Sequence, residues 1–337
     1  MARVWWLTLS LVALTSMFSS WAWSTSLDRD FSTVIERVKR ATVGILRHHH
    51  NDASSRQAVR SPQLTIRGTG VLLQDGYLLT ARHAVERQQG SRRIVPRTIA
   101  VLTSDLHELP ATLVGEQTVV DIVVYRVDPT LLPPSLLSVP FGKNDPKPGD
   151  EVFTVGYPLG WGPAMSFGRV GNPRTFLPTA HTRLIQVDLS ACRGNSGGGL
   201  FNASGELVGM VHAIIQTESM QEERRCSRFA FAVPGSLIGR VADALIHGKH
   251  LVFPKLGLRL TAAKLGTQWR IAVASATGPA RKGGIHRGDI LLSVNQIPLA
   301  TAAELKTFLL EHAVPGQPLT FEILRDGSIH RLTIEPS

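Results

Sequence analysis

Apolar residues along this chain gather into short runs, and glycine, proline or Asp/Asn turns separate them. Thr69–Gln74, Asp75-Gly76 and Tyr77–Thr80 predict a hairpin, because Asp-Gly tolerates the positive φ of a primed turn. Further strands are predicted at Ile99–Leu102, Ala111–Val114, Val119–Val127, Val152–Val155, Leu184–Leu189, Leu207–Ile214 and Phe229–Val233. No helical period intervenes between them, which favours antiparallel barrels or sandwiches over an α/β sheet. The first helix the pattern predicts is late. Leu237, Ile238, Val241 and Leu245 recur at helical spacing within Ser236–His247, and Gly248 is a natural stop.

After a linker at Lys249–Pro254 the pattern changes. Strands are predicted at Gly257–Leu260 and Ile290–Val294, with a helix at Thr301–Glu311 opened by the capping box Thr301-x-x-Glu304. A final hairpin turns at Asp326-Gly327. The expectation is a mainly β body over residues 25–249 and a small α+β module over 250–337.

Residues 1–24 read as an address. Arg3 is the only charge before Asp28, Val4–Phe18 form an apolar run, and Ser20-Trp21-Ala22 or Ala22-Trp23-Ser24 offers small residues for cleavage. The run falls short of the ~20 residues that span a bilayer. The expected product is a soluble protein, without stable membrane insertion, in a periplasmic or secreted compartment.

Length and composition fit this picture: 337 residues, 43% of them hydrophobic, suggest two folded domains. Thirty-six Lys and Arg against 26 Asp and Glu give a net charge of +10. That excess is spread along the chain, without the concentrated basic face interleaved with aromatics that marks a nucleic-acid binder. Only Cys192 and Cys226 are present, so disulfides are not the main source of stability.

The chemistry centres on Gly194-Asn195-Ser196-Gly197-Gly198. Glycines on both sides let the chain turn sharply, exposing the hydroxyl and aiming successive N–H groups at one spot. Each such donor is worth about 10²–10³ in rate when it meets an oxyanion. The motif also fits the G-x-S-x-G elbow of α/β-hydrolases, but an elbow needs a following helix. Here Leu200–Ile214 reads as another hairpin, turning at Ser204-Gly205. The candidate base and acid also precede the serine: His83 ends a predicted strand, and Asp121 lies in an apolar run where a carboxylate needs a partner. The order His…Asp…Ser in a β-rich exported chain points to nucleophilic catalysis.

At these residues the chain resembles the HtrA/Deg family of serine proteases. The match is carried by Gly68-Thr-Gly-Val, Thr80-Ala-Arg-His83-Ala-Val, Asp121-Ile-Val, Val155-Gly-Tyr-Pro-Leu-Gly160, Gly194-Asn-Ser-Gly-Gly198, Leu207-Val-Gly and Phe231-Ala-Val-Pro234. Ala81-Arg82 and Gly199 depart from the family's usual residues without removing a catalytic group. The resemblance implies a chymotrypsin-type double antiparallel β-barrel followed by a small α+β PDZ domain. It implies Ser196 as nucleophile, His83 as general base and Asp121 as its orienter, with backbone N–H groups of Gly194, Asn195 and Ser196 as the oxyanion hole. Neither metal nor organic cofactor is expected.

By the same analogy Ser190, Ala191, Cys192, Ala213, Ile214 and Phe229–Phe231 wall the primary pocket. Ser190 stands where trypsin-like enzymes carry an acid, so cleavage after Lys or Arg is not expected. Bulky Ile214 and Phe229 favour small or medium aliphatic side chains. Cys226 is placed to pair with Cys192. In the C-terminal module Lys255, Leu256, Gly257 and Leu258 resemble a carboxylate-binding loop, and Gly284-Ile-His-Arg-Gly288-Asp-Ile-Leu-Leu-Ser-Val-Asn295 matches the family's turn-and-strand segment. The expected partners are unfolded or damaged proteins and peptides with hydrophobic C-termini. A homotrimer is implied by resemblance, with Phe31 a candidate contact.

Other conspicuous residues have plainer readings. His48, His49 and His50 read as a polar loop, Arg87, Arg92, Arg93 and Arg97 as a solvated basic loop, and Asn202-Ala-Ser204 as a hairpin turn. Three function classes stand: an endopeptidase for damaged exported proteins, a peptide-binding chaperone or scaffold with secondary proteolysis, and an esterase using the same serine.

Overall fold

The computed structural model describes residues 31–46, 66–177, 182–214, 226–249 and 251–337. The expected signal segment and the three consecutive histidines lie outside the described residues.

The chain enters through helix α1 (31–40), which the sequence reading did not predict, and continues into β1 (Thr42–Leu46). Charged Glu36, Arg37, Lys39 and Arg40 obscure the helix in sequence, yet Val38 is fully buried. Then follow β2 (Ile66–Leu72), β3 (Tyr77–Ala81), the one-turn helix α2 (Arg82–Val85) and a small hairpin, β4 (Arg87–Gln89) with β5 (Arg92–Ile94). β6 (Thr98–Leu102), β7 (Glu108–Gln117) and β8 (Ile122–Val127) complete the first half. The order β1-β2-β3-β8-β7-β6 closes into an antiparallel barrel.

The β2–β3 hairpin turns as expected, with Asp75 at φ 58° and Gly76 at φ 76°. β8 is buried on both faces, so alternate residues serve two cores. Val123, Tyr125 and Val127 fill the barrel, while Ile122 and Val124 face the second half of the body.

The second barrel is built from β9 (Glu151–Gly156), β10 (Ala164–Thr175), β11 (Leu184–Ala191), β12 (Gly199–Asn202), β13 (Leu207–Ile214) and β14 (Ser227–Pro234). It closes in the order β10-β11-β14-β13-β12-β9. β10 was not predicted, because only Val170 of its residues is buried and no apolar run announces it. The strands after Ser196 exclude a hydrolase elbow. At the β12–β13 turn the Asn202 Oδ1 accepts from the N–H groups of Ser204 and Glu206, both at 3.0 Å, so Asn202 serves the hairpin. Helix α3 (Gly235–Ile246) joins the two barrels by adding Leu237, Ile238, Val241, Ala242 and Leu245 to their shared core.

A separate core underlies the C-terminal module. Its elements are β15 (Leu258–Leu265), β16 (Gln268–Ala276), α4 (Gly278–Lys282), β17 (Ile290–Val294), β18 (Ile297–Pro298), α5 (Ala302–Glu311), β19 (Leu319–Arg325) and β20 (Ser328–Ile334). The sheet runs β15-β16-β17-β19-β20, leaving β15 on an edge. Thr301 and Glu304 form the expected capping box on α5, and the last hairpin turns with Asp326 at φ 49° and Gly327 at φ 79°. Arg183 ties this module to the body: its Nε donates to Glu311 Oε1 at 2.8 Å, its guanidinium also meets Asp145, and its backbone N–H donates to Thr307 Oγ1 at 3.1 Å. Of the described helices, none is long and apolar enough to cross a membrane.

Candidate active site

The first group is presented by the end of β3. Ala81 pairs with Ile122 on β8, and the chain then turns into α2, pinned by buried Ala84 and Val85. The Arg82 N–H donates to the Asp121 carbonyl at 2.9 Å. The His83 N–H donates to Asp121 Oδ1 at 3.0 Å, and His83 Nδ1 lies directly against Asp121 Oδ2. Asp121 thus grips both the backbone and the ring of His83.

The local conformation of Asp121 corrects the sequence reading. The strand expected from Val119 begins only at Ile122, and Asp121 sits at φ 58° in the turn before it. Aspartate is among the few non-glycine residues that adopt this left-handed region readily. From that turn its carboxylate reaches back over α2. Burial by itself would raise its pKa, but the imidazoles of His212 and His83, by contact and by charge, hold the carboxyl well below the usual carboxylate range.

His212 was not singled out from sequence. It stands in β13 with Nδ1 3.1 Å from Asp121 Oδ2, and its ring centroid is 5.5 Å from that of His83 at an interplanar angle of 85°. The available signal was a lone ionisable residue in the apolar run Leu207–Ile214. These three side chains offer ligand atoms within 4.8 Å of one another. With His83 already touching Asp121, however, an ion would have to part that pair to enter.

Ser196 lies in the segment between β11 and β12. Asn195 shapes this segment: its N–H donates to the Cys192 carbonyl at 3.1 Å, and its side-chain oxygen accepts from the Cys192 N–H at 3.1 Å. That bond corrects one expectation, because the Asn195 N–H is committed and cannot join an oxyanion hole. The Gly194 and Ser196 N–H groups carry no internal partner among the described residues. Gly194 is at φ 101°, and a Cβ there would stand 2.2 Å from the Tyr157 carbonyl oxygen, so only glycine fits.

Buried Thr69 holds the segment from β2, and sequence reasoning gave it no role. Its hydroxyl donates to the Gly194 carbonyl at 2.6 Å and its N–H to the Ser196 carbonyl at 2.9 Å. The neighbouring Gly68 separates the two halves of the site: a Cβ there would lie 2.7 Å from Ala84 Cβ and 3.2 Å from the Ser196 carbonyl oxygen. Gly68 therefore touches both the Ser196 backbone and the helix that bears His83. Ser196 itself is half-buried, and its hydroxyl makes no hydrogen bond among the described residues. Such contacts are often open in a substrate-free enzyme and tighten in the complex.

Cys192 and Cys226 are joined by a disulfide with Cα atoms 4.4 Å apart. It ties the end of β11 to the start of β14, where Ala191 pairs with Ser227. Of the other expected pocket residues, Ala191 and Cys192 are buried, Ser190 is exposed, and Ala213 and Ile214 pair with Phe231 and Ala230. Phe229 is 54% exposed.

In the C-terminal module, Pro254–Leu258, Leu260, Ala302, Leu305, Lys306 and Leu309 line a groove of about 530 Å³ between β15 and α5. Lys255 corrects the loop assignment. Its N–H donates to the Ser337 carbonyl at 2.8 Å, whereas the Leu256 and Gly257 N–H groups have no such partner among the described residues.

Comparison with known proteins places the chain in context. Residues 68–210 match the Trypsin-like peptidase domain family, and residues 254–335 match the PDZ domain family. A "Probable periplasmic serine endoprotease DegP-like" of Pseudomonas fulva (strain 12-X) is 31% identical over 280 residues, 79% of this chain and 55% of that protein. The chain thus spans about half the length of such DegP-like relatives. The "Serine endoprotease DegS" of Salmonella typhimurium is 27% identical over 88% of this chain and 82% of that protein. Among solved structures, "HtrA-type protease AlgW with tripeptide" aligns with a TM-score of 0.70 at 25% identity, covering 91% of this chain and 96% of that one. The serine endoprotease from Yersinia pestis aligns with a TM-score of 0.62 at 26% identity, covering 91% and 97%.

Proposed function

Since the chain belongs to the HtrA/Deg family of trypsin-like serine proteases with a PDZ domain, we propose that it is an exported serine endopeptidase that degrades misfolded or damaged proteins by Ser-His-Asp acyl transfer. The observation that carries this reading is the double grip of Asp121 on His83, beside a serine segment whose Gly194 and Ser196 N–H groups remain unspent. Ser196 Oγ attacks a peptide carbonyl while His83 accepts its proton. Asp121 orients the ring and stabilises the imidazolium that forms. The two N–H donors meet the oxyanion, and His83 then protonates the leaving amine before water releases the acyl-enzyme.

The protease unit is proposed to occupy residues 25–249 and the PDZ unit 250–337, with residues 1–24 removed on export to the periplasm. The periplasmic proposal draws support from relatives whose names place them there. The PDZ groove is proposed to capture hydrophobic C-termini: β15 is an edge strand able to accept an added strand, and the free N–H groups of Leu256 and Gly257 suit a terminal carboxylate. Ser190 argues against cleavage after Lys or Arg, and a preference for small or medium aliphatic side chains is proposed from the sequence, the Ile214 side chain lying outside the described residues. A homotrimer is proposed through α1 and the second barrel. Phe31 packs edge-on against Phe153 and tilted against Phe167, with centroids 5.9 and 6.2 Å away, and Phe167 is 54% exposed, so among the described residues an apolar patch is left uncovered.

Hydrolysis of an unfolded protein such as reduced lactalbumin tests the activity. Wild-type chain is expected to cleave it and Ser196→Ala to bind without cleaving; cleavage by the purified variant would refute the assignment. A chaperone would suppress aggregation without cleavage in either form, and an esterase would turn over small esters while sparing the protein.

A further inference from the structure

Resting on the endopeptidase reading, the geometry points to a second imidazole on Asp121: we infer that His212 is a positioning residue that orients the carboxylate serving His83. Both Nδ1 atoms reach the same oxygen, Oδ2, one in direct contact and the other at 3.1 Å. The His212 nitrogen is buried and lies off the hydrogen-bonding axis, with no other partner among the described residues. It is therefore a group waiting at bonding distance, and a small rotation of the Asp121 carboxylate on substrate binding completes the bond.

Two consequences follow for the reaction. An oxygen held by two donors is fixed in orientation, so His83 keeps the tautomer that a general base needs. An oxygen that serves two donors also divides its acceptor strength between them, so His212 sets how tightly Asp121 holds the His83 ring. Both effects act through the one Asp121 oxygen on which His83 depends. The other charged groups facing this cavity are Glu86 and Arg93. Glu86 is already paired with Arg82, and Arg93 stands 3.8 Å from it, so that cluster offsets its own charge. From β11, β14 and the approach to β8 only uncharged Leu184, Thr182, Val233 and Thr118–Val120 face the cavity.

The test is steady-state kinetics of the full mature chain on a peptide substrate between about pH 5 and 9, with His212→Leu and His212→Asn. The leucine variant is expected to lose about tenfold or more in kcat with KM held within about twofold. The acid limb of its kcat/KM profile is expected to be displaced by about half a pH unit or more. The asparagine variant restores a donor near the Nδ1 position and is expected to recover kcat to within about threefold of wild type. Wild-type kcat and an unmoved acid limb in His212→Leu overturn the inference. So does a His212→Asn variant as impaired as the leucine one, since that indicates packing alone. A readout free of turnover separates this inference from the reading beneath it. In the Ser196→Ala background, the downfield NMR proton of the His83–Asp121 contact is expected to shift on His212→Leu. If wild type proves unable to hydrolyse peptides while that proton still responds, the endopeptidase reading falls and the positioning role stands. An unresponsive proton overturns the positioning role.

Discussion

Asp121 and His83 are joined twice, once through the His83 backbone N–H to Oδ1 at 3.0 Å and once through the imidazole against Oδ2. The backbone bond fixes where the carboxylate sits, and the ring contact fixes which nitrogen carries the proton. Neither could form if Asp121 lay within the strand that follows it. The left-handed turn at φ 58° brings its side chain over the one-turn helix of the histidine.

Asp121→Asn is therefore expected to lower kcat by about 10³–10⁴ at neutral pH, because an amide N–H facing the imidazole favours the wrong tautomer. Thermal unfolding should change little by comparison. The native carboxyl is held below its ordinary range, so its own protonation does not account for loss of wild-type activity as pH falls toward about 4. A variant within tenfold of wild type at neutral pH would remove Asp121 from the mechanism.

In the PDZ module Asp289, 1% exposed at its side chain, accepts from Arg325 Nε at 2.7 Å and Nη2 at 2.8 Å, and from the His286 N–H at 2.7 Å. Burial opposes ionisation of Asp289, yet these donors and the guanidinium charge win, and its pKa is lowered. Arg325→Met leaves that carboxylate buried and half-satisfied. Discounting for the partly exposed arginine, the loss is about 2–3 kcal/mol, read in calorimetry of the full chain as a lower-melting PDZ transition. A lowered native pKa contributes stability that is present above the unfolded value near about 4 and is lost as pH falls toward the native one. The gap between wild type and variant should therefore narrow below about pH 4.

Leu260 lies half-buried on β15 and faces the groove. Leu260→Lys places a charge where an apolar peptide side chain would dock. Binding of a peptide ending in a hydrophobic residue and a free carboxylate is expected to weaken about tenfold or more, while the melting temperature stays within a few degrees. Fluorescence anisotropy on the full chain measures it, and unchanged affinity would move the peptide site elsewhere.

The strand runs of the two barrels were legible because buried strands must be apolar, and the turns at Asp75-Gly76 and Asp326-Gly327 because positive φ selects those residues. β1, β10 and α1 were not: β1 is a five-residue run directly after a charged helix, β10 an exposed strand with a single buried residue, and α1 an amphipathic helix dominated by charge. Ser196, His83 and Asp121 could be named because each breaks a local pattern. Thr69 could not, since a buried threonine inside a strand looks like any β-branched residue until its hydroxyl is seen holding Gly194.

By itself the sequence determined a two-part β-rich chain, the order of its three reactive groups and their kinship to a protease family, because burial, turn conformation and motif are local properties. Only the tertiary structure decided that Asn195 spends its N–H on Cys192, that Phe229 faces solvent and that His212 shares an oxygen with His83. Those facts depend on where residues far apart in sequence meet, and on which face of a strand or turn each is left. Barrel closure sets both, and it satisfies every strand at once.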